Sequence, residues 1–308
     1  MLICIGEILV DMLGIEENGQ MKYQRCAGGA PFNVACAAAK TGAESGFVGR
    51  AGQDMFGAFL VDYARNAGLF YLDIEQDADA NTTLALVQLD SSGERSFCFI
   101  RKHTADYRIT KEQAEKAVAK ADTVHLGTLM LSEKEGIELA DYVIAAAKKH
   151  KKRLSIDINY REDIFRQKDA VSVYRKYVNA ADIVKYSEEE LSMFYGEGNF
   201  EERLKAASAG KQLVCVTLGK NGSAYCVNGK VYYADSVRVE PVDTTGAGDA
   251  FFGCLLGSID GREIADIPAE ELNKIVRRAN ICGALTTTKR VAIDAIPDKK
   301  SLDYFFEN

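Results

Sequence analysis

Arg153-Leu154-Ser155-Ile156-Asp157-Ile158 is a short apolar run set between two helical patterns, Glu133–His150 and Ala170–Ala180. Such a run, flanked by helices on both sides, reads as a strand of a parallel sheet. The same alternation continues outward. Helix Thr110–Ala119 precedes strand Thr123–Leu126; strand Ile183–Tyr186 follows Ala170–Ala180; helix Glu201–Ala209 leads into strand Leu213–Thr217. Repeated alternation of this kind predicts an α/β domain, a mostly parallel sheet flanked by helices. At the N-terminal end, Leu2–Leu9 reads as one more buried strand, followed by helices Phe32–Lys40 and Asp54–Asn66. Toward the C-terminus, Gly222–Val227 and Lys230–Ala234, joined at Asn228-Gly229, read as an antiparallel hairpin added to the sheet. Helices Asp249–Ser258 and Ala269–Thr288 close the domain.

Two segments break the pattern. Thr82–Asp90 and Arg95–Ile100 alternate apolar and polar residues around Ser91-Ser92-Gly93-Glu94, the signature of a half-exposed β-hairpin. With Met12–Arg25 supplying further strands, they predict a small β layer covering a site. The expected organisation is a single domain over residues 1–308 with a lid from discontinuous segments at roughly 12–25 and 82–101.

Composition narrows the function. The 38 Lys and Arg against 45 Asp and Glu leave a net charge of −7, which argues against a nucleic-acid partner. The eight cysteines are scattered without a C-x-x-C pair and sit mostly in apolar or small-residue runs, as reduced thiols of a cytoplasmic protein do. Three histidines without paired spacing argue against a zinc site. The N-terminal stretch carries Glu7 and Asp11 and no basic segment, so it reads as a strand rather than a signal peptide. No apolar run approaches the ~18 residues of a membrane span.

The chemistry concentrates in Asp243-Thr244-Thr245-Gly246-Ala247-Gly248-Asp249-Ala250-Phe251. Gly-Ala-Gly lets backbone N–H groups approach a ligand closely. A helix begins there, so its unsatisfied N–H groups and positive dipole end suit an anion such as a phosphoryl group. Asp249, in the first turn, is placed to take a proton from an alcohol nucleophile. On local physics alone it reads first as an ordinary acidic residue of a helix start, since such residues are common there.

This segment is similar to the signature of the ribokinase/PfkB carbohydrate kinase family. Ala27-Gly28-Gly29-Ala30-Pro31-Phe32-Asn33-Val34-Ala35 resembles the same family's other signature, in the family's order, and the resemblance covers essentially the whole chain. No G-x-x-x-x-G-K-[ST] or G-x-G-x-x-G segment competes with it. The resemblance implies a ribokinase-like fold and an ATP-dependent sugar kinase. Asp249 would be the base, and Gly246, Ala247 and Gly248 the anion hole. Asp11, Gly28, Gly29 and Asn33 match sugar-binding positions.

Asp157-Ile158-Asn159-Tyr160-Arg161 follows a strand, where open α/β sheets place ligands, and resembles the bacterial fructokinase and ketodeoxygluconate kinase branches. Arg161 would bridge sugar and γ-phosphate. Arg95–Lys102 resembles the fructokinase lid run, with Arg101 reaching the sugar and Phe97 or Phe99 walling the site. Lys185-Tyr186-Ser187-Glu188-Glu189-Glu190 occupies the family's N-x-x-E position, with Ser187 in place of asparagine; Glu190 would hold Mg²⁺ through water. The same residues read as a capped acidic first turn. Thr217, Gly219 and Gly222 resemble the nucleotide loop, and Asn280 and Gly283 match positions lining adenine, although a small-residue helix face also serves close packing. Some members bind K⁺ through backbone carbonyls near Asp243 and Thr245.

The motifs together favour phosphorylation of D-fructose to fructose 6-phosphate, with Mg²⁺ and ATP, by a homodimer paired through the lid. The alternatives are a 2-keto-3-deoxygluconate kinase, which would use more cationic lid contacts, and a non-catalytic sugar- or nucleotide-binding regulator.

Overall fold

The computed structural model describes residues 1–89, 95–165 and 169–307. The predicted loop Ser91–Glu94 lies outside them. The main sheet holds β1 (Leu2–Ile5), β4 (Ser45–Gly52), β5 (Tyr71–Asp77), β8 (Thr123–Leu126), β9 (Arg153–Asp157), β10 (Ile183–Ser187), β11 (Leu213–Thr217), β12 (Ser223–Val227) and β13 (Lys230–Ala234). Their order is β13-β12-β11-β10-β9-β8-β1-β4-β5. Pairing is parallel from β5 to β11; β12 and β13 are antiparallel additions. The second sheet, of order β3-β2-β6-β7, holds β2 (Leu9–Glu17), β3 (Gln20–Gly28), β6 (Leu84–Leu89) and β7 (Arg95–Ile100).

The helices are α1 (Ala30–Lys40), α2 (Met55–Arg65), α3 (Lys111–Lys120), α4 (Lys134–Lys149), α5 (Glu162–Phe165), α6 (Ala170–Ala180), α7 (Glu188–Tyr195), α8 (Phe200–Ala207), α9 (Ala247–Ile259), α10 (Ala269–Thr286), α11 (Ala292–Ala295) and α12 (Lys299–Glu307). The period of two along each strand divides them into layers. Leu2, Cys4, Leu213 and Cys215 pack with α1, α2, α9 and α10, whereas Ile3, Ile5, Val214 and Val216 pack with α3, α4, α6, α7 and α8. Buried on both faces, these strands read as continuous apolar runs.

The predicted strand Leu2–Leu9 is divided. It leaves the main sheet after Ile5, crosses at Gly6-Glu7-Ile8 and enters the small sheet at Leu9. Gly6 makes the crossing possible, since a Cβ there would sit 2.7 Å from the Pro31 ring and 3.0 Å from the Gly127 Cα. The small sheet therefore begins earlier and ends later than 12–25, so Asp11 and Gly28 lie on its strands. The chain reverses its direction of growth around β1, with β8 on one side and β4 on the other. A crevice at the carboxyl ends of such strands is where ligands bind in open α/β sheets.

Candidate active site

A cavity of about 370 Å³ lies at that carboxyl edge, and its wall carries Glu7, Asp11, Gly29, Asn33, Phe99, Asp157, Asn159, Arg161, Lys185, Gly246, Gly248 and Asp249. These side chains come from both sheets, α1, the loop after β9, and the start of α9. A second depression, of about 440 Å³, lies by α2 and α11 against Phe59, Tyr63 and Asp294, and carries none of the motif residues.

Asp249 stands in the first turn of α9. Gly246 is its N-cap at φ 76°, with no side-chain cap; the Ala247 N–H turns back to the Thr244 carbonyl at a long 3.3 Å, so the helix start carries no side-chain acceptor. A Cβ at Gly246 would sit 2.5 Å from the Ala292 Cβ, and one at Gly248 would sit 3.2 Å from Lys185 Nζ. Glycine thus lets α11 close over the loop and lets a cation lie against the helix start. Asn33 Nδ2 donates to Asp249 Oδ2 at 2.8 Å. Burial pushes the Asp249 carboxyl up to about 6, helped by repulsion from Asp157, while the Asn33 hydrogen bond, Lys185 and Arg161 hold it back. A buried carboxylate poised just below neutrality has the protonation state a general base needs.

Lys185 Nζ donates to both oxygens of Asp157, at 2.8 and 2.7 Å. Burial works against the ammonium charge, but Asp157, Glu190 and Asp249 outweigh it and hold the Lys185 pKa above its ordinary range. Asp11 is pushed up to about 7, first by burial, with Arg161 pulling back and Asp249 and Asp243 adding repulsion. A Cβ on Gly28 would overlap Asp11 Oδ2, and one on Gly29, at φ 113°, would overlap the Glu7 carbonyl. The two glycines are therefore required to seat α1 and Asp11 against the cavity.

Other predicted residues are placed differently. Arg101 does not line the cavity. Its Nε donates to Asp106 Oδ2 at 2.8 Å and its side chain is 5% exposed, in a buried ion pair. Asp106 also accepts from Thr83 Oγ1 at 2.5 Å and Thr104 Oγ1 at 2.7 Å. The arginine is thus held at the end of β7 beside the start of β6, by Asp106 and Ser132, and not on the cavity wall. Glu190 Oε1 and Oε2 accept from the backbone N–H of Tyr160 and Ser187, at 2.8 and 2.7 Å, and Ser187 Oγ accepts from Glu190 N–H. That is a capping box at the start of α7. Burial and Asp157 raise the Glu190 pKa, against Lys185 and the two backbone donors. No group of three or more metal-ligating side chains occurs among the described residues.

Thr217, Gly219, Gly222, Asn280 and Gly283 do not line the cavity. Thr217 Oγ1 donates to the Tyr186 carbonyl at 3.4 Å, and Gly219 and Gly222 take φ values of 57° and 83° in the turn after β11. Asn280 Nδ2 donates to the Ala234 carbonyl at 2.8 Å, tying α10 to β13. A Cβ at Gly283 would sit 2.9 Å from the Ala247 carbonyl, so this glycine sets the close approach of α10 to α9.

The sequence reading assigned no role to Glu7 or to Asp157 itself. Glu7 had a signal, an acid inside the apolar run Ile3–Val10. Asp157 had one in ending a buried strand.

The site thus combines an uncapped helix start, a buried carboxyl group and a lysine beside it. A profile of pfkB family carbohydrate kinases matches residues 1–299, and the chain belongs to that family. "Probable fructokinase-2" of Arabidopsis thaliana is 33% identical over 309 residues, 96% of this chain and 93% of the relative. The crystal structure of the Xylella fastidiosa fructokinase with bound ATP superposes with a TM-score of 0.92 at 30% identity, covering 99% of this chain and 98% of that one. A double mutant of the Vibrio cholerae fructokinase, with fructose, ADP and potassium ion bound, superposes with a TM-score of 0.88 at 32% identity, covering 99% and 98%.

Proposed function

We propose that the protein is an ATP-dependent fructokinase that transfers a phosphoryl group in line to D-fructose, giving fructose 6-phosphate. The observation that carries this reading is Asp249, held by Asn33 at the uncapped start of α9 and next to Gly248, whose backbone lies against Lys185 of β10. Asp249 takes the proton of the attacking hydroxyl. The N–H groups of Gly246, Ala247 and Gly248 receive the charge on the phosphoryl oxygens, with Lys185 and Arg161 as cations. Phosphoryl transfer needs mainly such positioning and charge stabilisation. Asp11, Gly28, Gly29 and Asn33 shape the sugar end. A regulator without activity would have no use for this base beside an intact Gly-Ala-Gly.

Fructose is favoured over 2-keto-3-deoxygluconate because Arg101 is committed to Asp106, while Glu7, Asp11, Asp157 and Asp249 crowd the cavity. Carboxyl groups that are protonated or already paired offer hydrogen bonds to a neutral polyol, and the described lid residues lining the cavity, Leu9, Asp11 and Phe99, add no cation for a sugar acid.

Thr217, Gly219 and Gly222 form the nucleotide loop of this reading, with Asn280 and Gly283 setting the helix behind it. The fructokinases superposed on this chain carry ATP or ADP. For Mg²⁺, the donor set fits only a water-mediated hold, by Glu190 and Asp157, whose oxygens are already engaged by backbone N–H groups and Lys185. The ion, when bound, neutralises charge on the phosphates. K⁺, present in the Vibrio cholerae structure, belongs to the same reading, near Asp243 and Thr245. The small sheet acts as the lid of a single domain, and two copies pair through it; exposed Met21, Tyr23 and Ile100 on or at the ends of its strands support that pairing. Unpaired cysteines, nearly all buried, support a cytoplasmic location.

The test is ADP release with Mg·ATP against fructose, 2-keto-3-deoxygluconate, ribose, tagatose, glucose and adenosine. The highest kcat/KM is expected on fructose. A preference for 2-keto-3-deoxygluconate overturns the substrate, and absence of turnover on every compound overturns the kinase reading.

A further inference from the structure

Glu7 is a buried acid that the mechanism above does not use. It lies in the crossing between the two sheets, is 2% exposed and forms part of the cavity wall. Its Oε2 has no hydrogen-bond partner among the described residues. Gly127, just after β8, faces it, and a Cβ there would sit 2.6 Å from Oε2, so glycine leaves room for the carboxyl group. The charged groups acting on Glu7 are Arg101 beyond β7, Asp106 in the following turn and Asp249 on α9. Arg101 is already held by Asp106, and Asp249 is paired with Asn33. A buried polar atom left without a partner is costly, and one on a cavity wall finds its partner in the ligand. Burial pushes the carboxyl up to about 8, with Asp106 and Asp249 adding to the rise and the residue's own backbone N–H and Arg101 opposing it. At neutral pH the group holds its proton, so it offers a donor as well as an acceptor.

We propose that Glu7 is a specificity-determining residue that hydrogen-bonds a hydroxyl group of the sugar directly. This rests on the kinase reading above. A site that must satisfy a buried polar group rejects an analogue lacking the matching hydroxyl far better than an apolar wall does. The arrangement therefore selects a fully hydroxylated neutral sugar over its deoxy analogues.

The experiment measures fructose binding by calorimetry without nucleotide, together with kcat/KM, for the wild type, Glu7→Met and Glu7→Gln. Met matches the size without the polar group, and one neutral hydrogen bond corresponds to about a tenfold loss of affinity. Glu7→Gln keeps a donor and an acceptor and is expected within about threefold of the wild type. Across the monodeoxyfructoses, one analogue binds the wild type about tenfold more weakly than fructose does, and that difference vanishes in Glu7→Met. Wild-type affinity falls above about pH 8 as Glu7 ionises, and Glu7→Gln lacks that fall.

Unchanged fructose affinity in Glu7→Met, or a deoxy penalty that survives the substitution, overturns the proposal. Should Glu7→Met fail to fold, identical pH profiles of wild type and Glu7→Gln overturn it. If the wild type phosphorylates another sugar of the panel, fructose is the wrong substrate. The same variant-to-wild-type comparison on that sugar and its deoxy analogues then decides the role of Glu7.

Discussion

Replacing Asn33 by Leu removes the donor 2.8 Å from Asp249 Oδ2 while keeping the volume on α1. That hydrogen bond favours the ionised carboxylate and holds its pKa down, so its loss raises the pKa above the present value of about 6. A hydrogen bond to a charged group is worth about 1.5–3 kcal/mol, and 1.36 kcal/mol corresponds to one pKa unit. The base of the variant should therefore titrate about 1–2 pH units higher. Because the base must be ionised to accept a proton, the rate falls on the acid side, and the midpoint of that fall should move from about 6 to about 7–8. The assay is single-turnover quench-flow at saturating fructose and Mg·ATP between pH 5 and pH 9. Saturation removes the separate loss of sugar affinity, and the single turnover isolates transfer from product release. An acid limb that stays where it is, or moves to lower pH, refutes the claim that Asn33 tunes Asp249 as the base.

Three further outcomes are expected. Gly28→Ala forces the Asp11 carboxylate aside, because the new Cβ would overlap Oδ2; the fructose KM should rise about 10–100-fold with the ATP affinity unchanged, and an unchanged sugar KM removes Asp11 from the sugar site. Arg101→Met breaks a buried ion pair with Asp106 and should cost about 3 kcal/mol in urea unfolding while leaving the fructose KM within about threefold; the opposite pattern returns Arg101 to the sugar. Glu7, Asp11 and Asp249 hold pKa values of about 8, 7 and 6, all above their unfolded values, so the folded state binds more protons than the unfolded state between about pH 4 and pH 8. Their contribution to stability is complete below the unfolded pKa values and is lost as pH rises through 6, 7 and 8; the Tm of the ligand-free protein should fall from pH 5.5 to pH 8.5, and a rising Tm contradicts these assignments.

The parallel sheet was legible because β8 to β11 are short apolar runs between helices, a pattern that burial on both faces imposes. Strand β4, Ser45–Gly52, was not recognised. Its glycines argue against a strand, and their reason is tertiary: a Cβ at Gly46 would sit 2.7 Å from the Tyr71 Cβ, and one at Gly49 2.5 Å from the Phe47 ring. The glycine-rich start of α9 and its aspartate could be read locally, since glycines, helix and acid lie within a few residues. The Arg101 placement could not. Its partner Asp106 is close in sequence, but whether the side chain turns to the cavity or to that carboxylate is decided by Thr83, Thr104 and Ser132, which the fold brings together. Asn280 and Gly283 were legible as special positions on α10, while the structure supplies a packing reason for each in β13 and α9. Glu7 needed the crossing between the sheets, which a run apolar on both sides of Gly6-Glu7 conceals.

The most direct measurement is phosphoryl transfer from Mg·ATP to fructose, followed by ³¹P NMR, for the wild type and Asp249→Asn side by side. The wild type should produce fructose 6-phosphate with stoichiometric ADP, and the variant should be slower by at least about 10²-fold with ATP still bound. Near-native turnover in Asp249→Asn, or a wild type that binds ATP and leaves fructose unphosphorylated, would contradict the account.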